Sequence, residues 1–94
     1  MNFIIAPEAA TDLTDIYDYI ARDNPGAANR VIDRLYAIFQ HLADGDLQGS
    51  EVRLRRGGRA QGWPSRPYKI YYRRVADQTH ILRVYHQARR PIER

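Results

Sequence analysis

The sequence predicts an α+β fold: a short N-terminal strand and an antiparallel helical hairpin packed on one face of a small antiparallel sheet. Two observations carry this. Apolar residues recur at helical spacing through the first half of the chain and at strand alternation through much of the second. Capping and turn residues fall between those stretches, where the chain must change direction. A length of 94 residues encloses one core, so residues 1–94 are read as a single domain.

Taking the elements in order, Phe3-Ile4-Ile5 is a brief apolar run ahead of Pro7, which suits a strand stopped where proline presets a helical first turn. From Pro7 to about Arg22, Leu13, Ile16, Tyr17 and Ile20 form an apolar stripe, with Asp12, Asp15 and Asp18 largely off it. Asp23-Asn24-Pro25 supplies a capping side chain followed by proline, and so starts a second helix. Its stripe runs through Ala28, Val31, Ile32, Leu35, Ile38, Phe39 and Leu42, and Asp44-Gly45 ends it. The link between the two helices is short, so they pair as a hairpin. After a loop over about Gly45 to Ser50, Val52 and Leu54 alternate with Arg53 and Arg55 as a half-buried strand, which Gly57-Gly58 interrupts. Pro64 and Pro67 bracket a turn. Tyr68–Val75 and Thr79–His86 then read as two strands joined through Ala76-Asp77-Gln78.

Alternation sorts the residues of the last two strands. Tyr68, Ile70 and Tyr72, with Leu82 and Val84, are expected beneath the helices; Lys69, Tyr71 and Arg73, with Arg83 and Tyr85, are expected on the uncovered face. Continued alternation sends His86 to the helix side. Charge is divided as unevenly. Residues 1–50 hold three arginines against eight acids, a net of −5, while residues 51–94 hold twelve Lys and Arg against three acids, a net of +9. Such a field attracts and orients an anionic partner. Arginine supplies nearly all of it, Lys69 being the only lysine, and guanidinium forks pair with carboxylates and phosphates while stacking on aromatic rings.

Several chemistries are excluded or disfavoured. Without cysteine there is no disulfide, thiolate nucleophile or sulfur-bound metal. His41, His80 and His86 lack the spacing of a zinc hydrolase, and Gly57, Gly58 and Gly62 match no phosphate-binding loop, so neither metal nor cofactor is expected. No apolar run approaches the ~20 residues of a membrane span, and the first residues lack a secretory pattern, so a cytoplasmic protein without membrane contact is expected. Trp63 reads as a packing anchor, His41 as a favourable charge at a helix C-terminus, and Asp12, Asp15, Asp18 and Asp33 as solvated carboxylates.

The segments Ala9-Ala10-Thr11-Asp12-Leu13-Thr14-Asp15-Ile16, Pro67-Tyr68-Lys69-Ile70-Tyr71-Tyr72-Arg73 and Ile81-Leu82-Arg83-Val84-Tyr85-His86-Gln87-Ala88-Arg89-Arg90-Pro91 together resemble the RelE/ParE toxins over nearly the whole chain. The resemblance implies a helix pair over an antiparallel sheet and a toxin of a type II toxin–antitoxin pair. It also implies an acidic antitoxin, ParD-like here, that folds onto the toxin, while operator DNA is met only indirectly, through the antitoxin. RelE-like members cleave mRNA on the ribosome; ParE-like members inhibit DNA gyrase by binding.

Cleavage through a 2′-hydroxyl needs a proton acceptor, a proton donor and cations around the phosphate. Lys69 matches a position that holds a phosphate-facing arginine in RelE-like enzymes; Arg73 and Arg83 would assist it, as would Arg89, with Tyr85 or His86 moving protons. The paired Arg89-Arg90 before Pro91 and the eight residues after His86 leave little room for a further catalytic element, which points to the ParE-like branch. The primary expectation is therefore a gyrase inhibitor with no catalytic residues, contacting target or antitoxin through Arg53, Arg55, Lys69, Tyr71, Arg73, Arg83, Tyr85, Arg89 and Arg90. The alternatives are a ribosome-dependent mRNA interferase using Lys69, Arg73, Arg83, Tyr85 and His86, and an inactive member serving only to bind antitoxin or to assist repression.

Overall fold

The structure is a computed structural model and describes residues 2–88. Its order is β1 (Phe3–Ile5), α1 (Pro7–Ala21), α2 (Pro25–Asp44), β2 (Ser50–Arg53), β3 (Arg59–Ser65), β4 (Tyr68–Val75) and β5 (Gln78–His86). Pro7 opens α1 directly after an extended Ala6, whose N–H donates to the Ile81 carbonyl at 2.9 Å. The Asn24 side chain accepts from Ala27 N at 3.0 Å and caps α2. Gly45 closes α2 at φ 86°, a left-handed conformation in which a Cβ would be strained.

The five strands lie in the order β1-β5-β4-β3-β2. All neighbours are antiparallel except β1, which runs parallel to β5 over three residues, so the sheet is mixed. The helices pack on each other and over β5 and β1. Leu13, Leu35, Phe39, Leu42, Ile70, Tyr72, Ile81 and Val84 fill the core between the layers, and Trp63 packs against it, as its anchor reading requires. At ~25 cal/mol per Å2, each fully buried Leu or Phe contributes on the order of 2 kcal/mol. Beyond the helices, β2 pairs with Arg59–Gly62 of β3 to form the outer edge of the sheet, a short ribbon whose β3 strand is itself paired with β4 from Gln61 onward.

Three expectations are corrected. Residues 59–65 form β3, where only a proline-bracketed turn was expected before Tyr68. Pro64 is tolerated because β2 pairing reaches only Gly62, so no strand needs its missing N–H. Leu82 is not in the core: β5 carries a bulge opposite Tyr71 and Tyr72, so Ile81 and Val84 are the buried residues while Leu82 stays half-buried. Tyr71, expected on an open surface, is only 4% exposed. The face away from the helices closes over it.

Candidate binding surface

The elements gather the cations into three environments, and each holds them differently. The first lies along β5 where β1 has ended. Strand pairing with β1 stops at Ile81, which leaves the outer edge of β5 without a neighbour from Leu82 onward. Asp12, one turn into α1, fills part of that gap. Its Oδ2 accepts from Val84 N and from Arg83 Nε, both at 2.9 Å, and its Oδ1 accepts from Arg83 Nη2 at 2.9 Å. Asp12 is therefore not a solvated carboxylate; its side chain is 11% exposed. The acidic helix meets the basic strand here, and a bidentate, charge-assisted bond is among the strongest a surface-adjacent pair can make. Hydrogen bonding to Asp12 raises the Arg83 pKa above its ordinary value, against the opposing effect of partial burial. The same guanidinium lies 4.3 Å from the centre of the Tyr85 ring.

A groove of about 540 Å3 opens beside this pair, lined by Asp15, Ile16, Tyr19, Tyr68, Tyr85 and His86 among others. His86 faces the helix side, opposite Tyr68, with the two rings 5.7 Å apart. Its Nδ1 accepts from Ala88 N at 3.2 Å, so neutral His86 carries its proton on Nε2. Arg83, Tyr85 and His86 thus share one groove. Lys69 and Arg73 do not line it.

The second environment is the sheet face away from the helices. Lys69 stands opposite Tyr85, and Tyr71 opposite Arg83. The Tyr71 and Tyr85 rings meet edge to face at 6.4 Å, and Lys69 Nζ lies 5.6 Å from the Tyr71 ring centre. Arg73 donates from Nε and Nη2 to the Arg59 carbonyl at 3.0 and 2.9 Å, a fork that ties β4 to the start of β3. Arg74, on the opposite face, donates to the Leu42 and Ala43 carbonyls at 3.1 and 3.2 Å and so caps α2. No role was anticipated for Arg74; a cation 31 residues from the helix it caps leaves no local signal.

The third environment is the β2–β3 ribbon. Arg53 and Arg59 stand directly opposite each other. Between them Gly57 N donates to Leu54 O at 3.0 Å, making a tight turn with Arg55 and Arg56 at its centre. Gly57 and Gly58 adopt φ of 91° and 85°, which favours glycine at both positions. Glu51 reaches Arg59 at 3.6 Å, and no other described carboxylate pairs with Arg53, Arg56 or Arg59. Arg89 and Arg90 lie outside the described residues. Among the described residues, no three histidine or carboxylate side chains converge on a metal position, and no helix is long and apolar enough to cross a membrane.

Fold and surface together define a small α+β protein with a helix-covered core and an arginine-rich β2–β3 edge. Residues 3–91 match the family model described as the ParE toxin of the type II toxin–antitoxin system, parDE, and the chain belongs to that family. Its fold is also that of a solved structure of the chromosomal ParDE toxin–antitoxin system from P. aeruginosa, at a TM-score of 0.71 and 22% identity, over 92% of this chain and 95% of that one. No curated protein matches significantly. Membership places the chain in a toxin–antitoxin system and implies an antitoxin as its partner.

Proposed function

We propose that the protein is the toxin of its pair, that it acts in the cytoplasm by binding and inhibiting DNA gyrase, and that a ParD-like acidic antitoxin neutralises it by lying across the cationic surface. One observation carries the choice of binding over catalysis: the groups a ribonuclease would need are not assembled. Arg83 is held by Asp12, Arg73 is forked onto a backbone carbonyl, and neither Lys69 nor Arg73 shares the groove of Tyr85 and His86. A scissile phosphate in that groove would meet a guanidinium already neutralised by a carboxylate.

Purified gyrase relaxing or supercoiling a plasmid tests the reading. Free toxin is expected to abolish supercoiling, and added antitoxin to restore it; full supercoiling at saturating toxin would overturn it. The mRNA interferase reading makes a different prediction. A translation reaction on one defined message would then yield shortened transcripts with new 5′-hydroxyl ends at the ribosomal A site, and His86→Ala would abolish them.

A further inference from the structure

We propose that the tip of the β2–β3 ribbon, residues 53–59, is a docking surface for the phosphodiester backbone of duplex DNA, met by the toxin directly. The expectation above allowed operator DNA only through the antitoxin. Arg53 and Arg59 occupy directly opposed positions on antiparallel strands, an arrangement that like charges destabilise. Arg59 has one carboxylate, Glu51, at 3.6 Å, with both side chains well exposed; among the described residues Arg53 has none. Arg83 and Arg74 are held by the fold, through Asp12 and the end of α2 respectively. At the ribbon tip cations are brought together instead, and a bound anion relieves the repulsion.

The shape of the tip indicates which anion. Arg55 and Arg56 occupy the centre of the turn, Arg53 and Arg59 flank it, and the Arg73 guanidinium reaches to 3.7 Å from where a Gly58 side chain would begin. Between Arg53 and Arg59 lies a shallow hollow of about 290 Å3, whose remaining walls are Leu54, Gly57 and Gly58. The two glycines place bare backbone on its floor, which lets a bulky ligand approach closely. A protein partner is recognised around an apolar centre with a polar rim. This tip has only half-buried Leu54 to offer one, and interfaces that are polar and strongly positive are those of nucleic acids. The contacts would be with phosphates, so they supply affinity without sequence preference.

Titrating the full-length toxin into a fluorescein-labelled duplex of mixed sequence, with anisotropy as the readout, tests this. Binding is expected in the range of about 10⁻⁴ to 10⁻⁶ M at physiological salt, weakening about a hundredfold between 50 and 200 mM salt for about four phosphate contacts. The variant Arg53→Ala/Arg56→Ala/Arg59→Ala should weaken binding at 50 mM by about tenfold or more and flatten the log–log salt slope by about 2 to 3. Arg22→Ala/Arg30→Ala/Arg34→Ala removes the same charge from the helices and should leave the slope unchanged. Single Arg53→Gln and Arg56→Gln variants, each expected to lower the slope by about 1, read the same surface if the triple variant fails to fold.

Three outcomes overturn the proposal. One is equal loss in both triple variants, which would assign the effect to net charge. Another is no binding at 50 mM with toxin at ~10⁻⁴ M. The last is poly-glutamate of matched charge bound as tightly as the duplex and lost in the same ribbon variant, which would make an acidic polypeptide the occupant. None of these readings involves gyrase, so failure here is distinguishable from failure of the supercoiling test.

Discussion

At the β5 end of the sheet, arginine is part of the architecture: Arg83 locks α1 to the strand edge through Asp12, and from neighbouring β4 Arg74 closes the end of α2. At the β2 end, Arg53, Arg56 and Arg59 stand beyond the reach of both helices, with one exposed carboxylate nearby. The same residue type therefore does two jobs, set by what lies within bonding distance. Where helix and strand bring opposite charges together, arginine stabilises the fold and is lost to ligands. Where the sheet edge faces no helix, it stays exposed to solvent. A positive count in the sequence measures the two together; only the fold divides them.

The division predicts that substitutions on the covered side change stability and that substitutions on the ribbon change binding. The largest stability effect should come from Phe39, which is fully buried under β1 with its ring 5.6 Å from that of Phe3. Phe39→Ala should lower unfolding free energy by about 4 kcal/mol in a urea titration. A loss under about 1 kcal/mol would mean that the layer between helices and sheet is not the core.

Asp12→Ala comes next. It orphans the Val84 N–H and strands a partly buried guanidinium at once, for a loss of about 3 kcal/mol. Arg83→Ala should cost less, because Asp12 keeps its bond to Val84 N. The raised Arg83 pKa also fixes the sign of a pH effect. Its contribution is fully present below the ordinary arginine range and is lost only as pH climbs through the higher folded-state value. The difference between wild type and Arg83→Ala should therefore stay flat from neutral to mildly alkaline pH, and a slope there would point to a different partner. Arg74→Ala should cost about 1 kcal/mol through the uncapped carbonyls of α2, seen as a lower Tm.

What could be read from the sequence follows the range of the interactions concerned. Both helices and their caps were legible because Asn24 and Gly45 act on backbone within a few residues of themselves. The last two strands were legible from alternation, but alternation counts residues and cannot register an inserted one. The bulge therefore exchanged Leu82 for Ile81 in the core. Strand β3 was hidden by its composition: Gly62 and Pro64 are turn residues by propensity, admitted here because of which neighbour lies beside each. Asp12 was misread because its partners lie 71 and 72 positions away. Its place off the apolar stripe, which usually means solvent, here means the exposed edge of a strand.

The smallest stability effect and the most selective binding effect belong to the ribbon. Arg53→Glu replaces an exposed side chain opposite Arg59, so it removes a repulsion and should change unfolding free energy by no more than about 0.5 kcal/mol, in the stabilising direction if at all. Arg56→Glu, at the turn centre, should be similarly neutral. Affinity for duplex DNA should nevertheless fall for both. The loss should be larger at low salt than at high, because ions screen attractions between exposed charges over about 10 Å at 0.1 M. Calorimetric titration of each variant at two salt concentrations measures this. A loss of the same size at both would mean that these residues contribute packing, not charge. The difference between the two ends of the sheet would then be one of exposure alone.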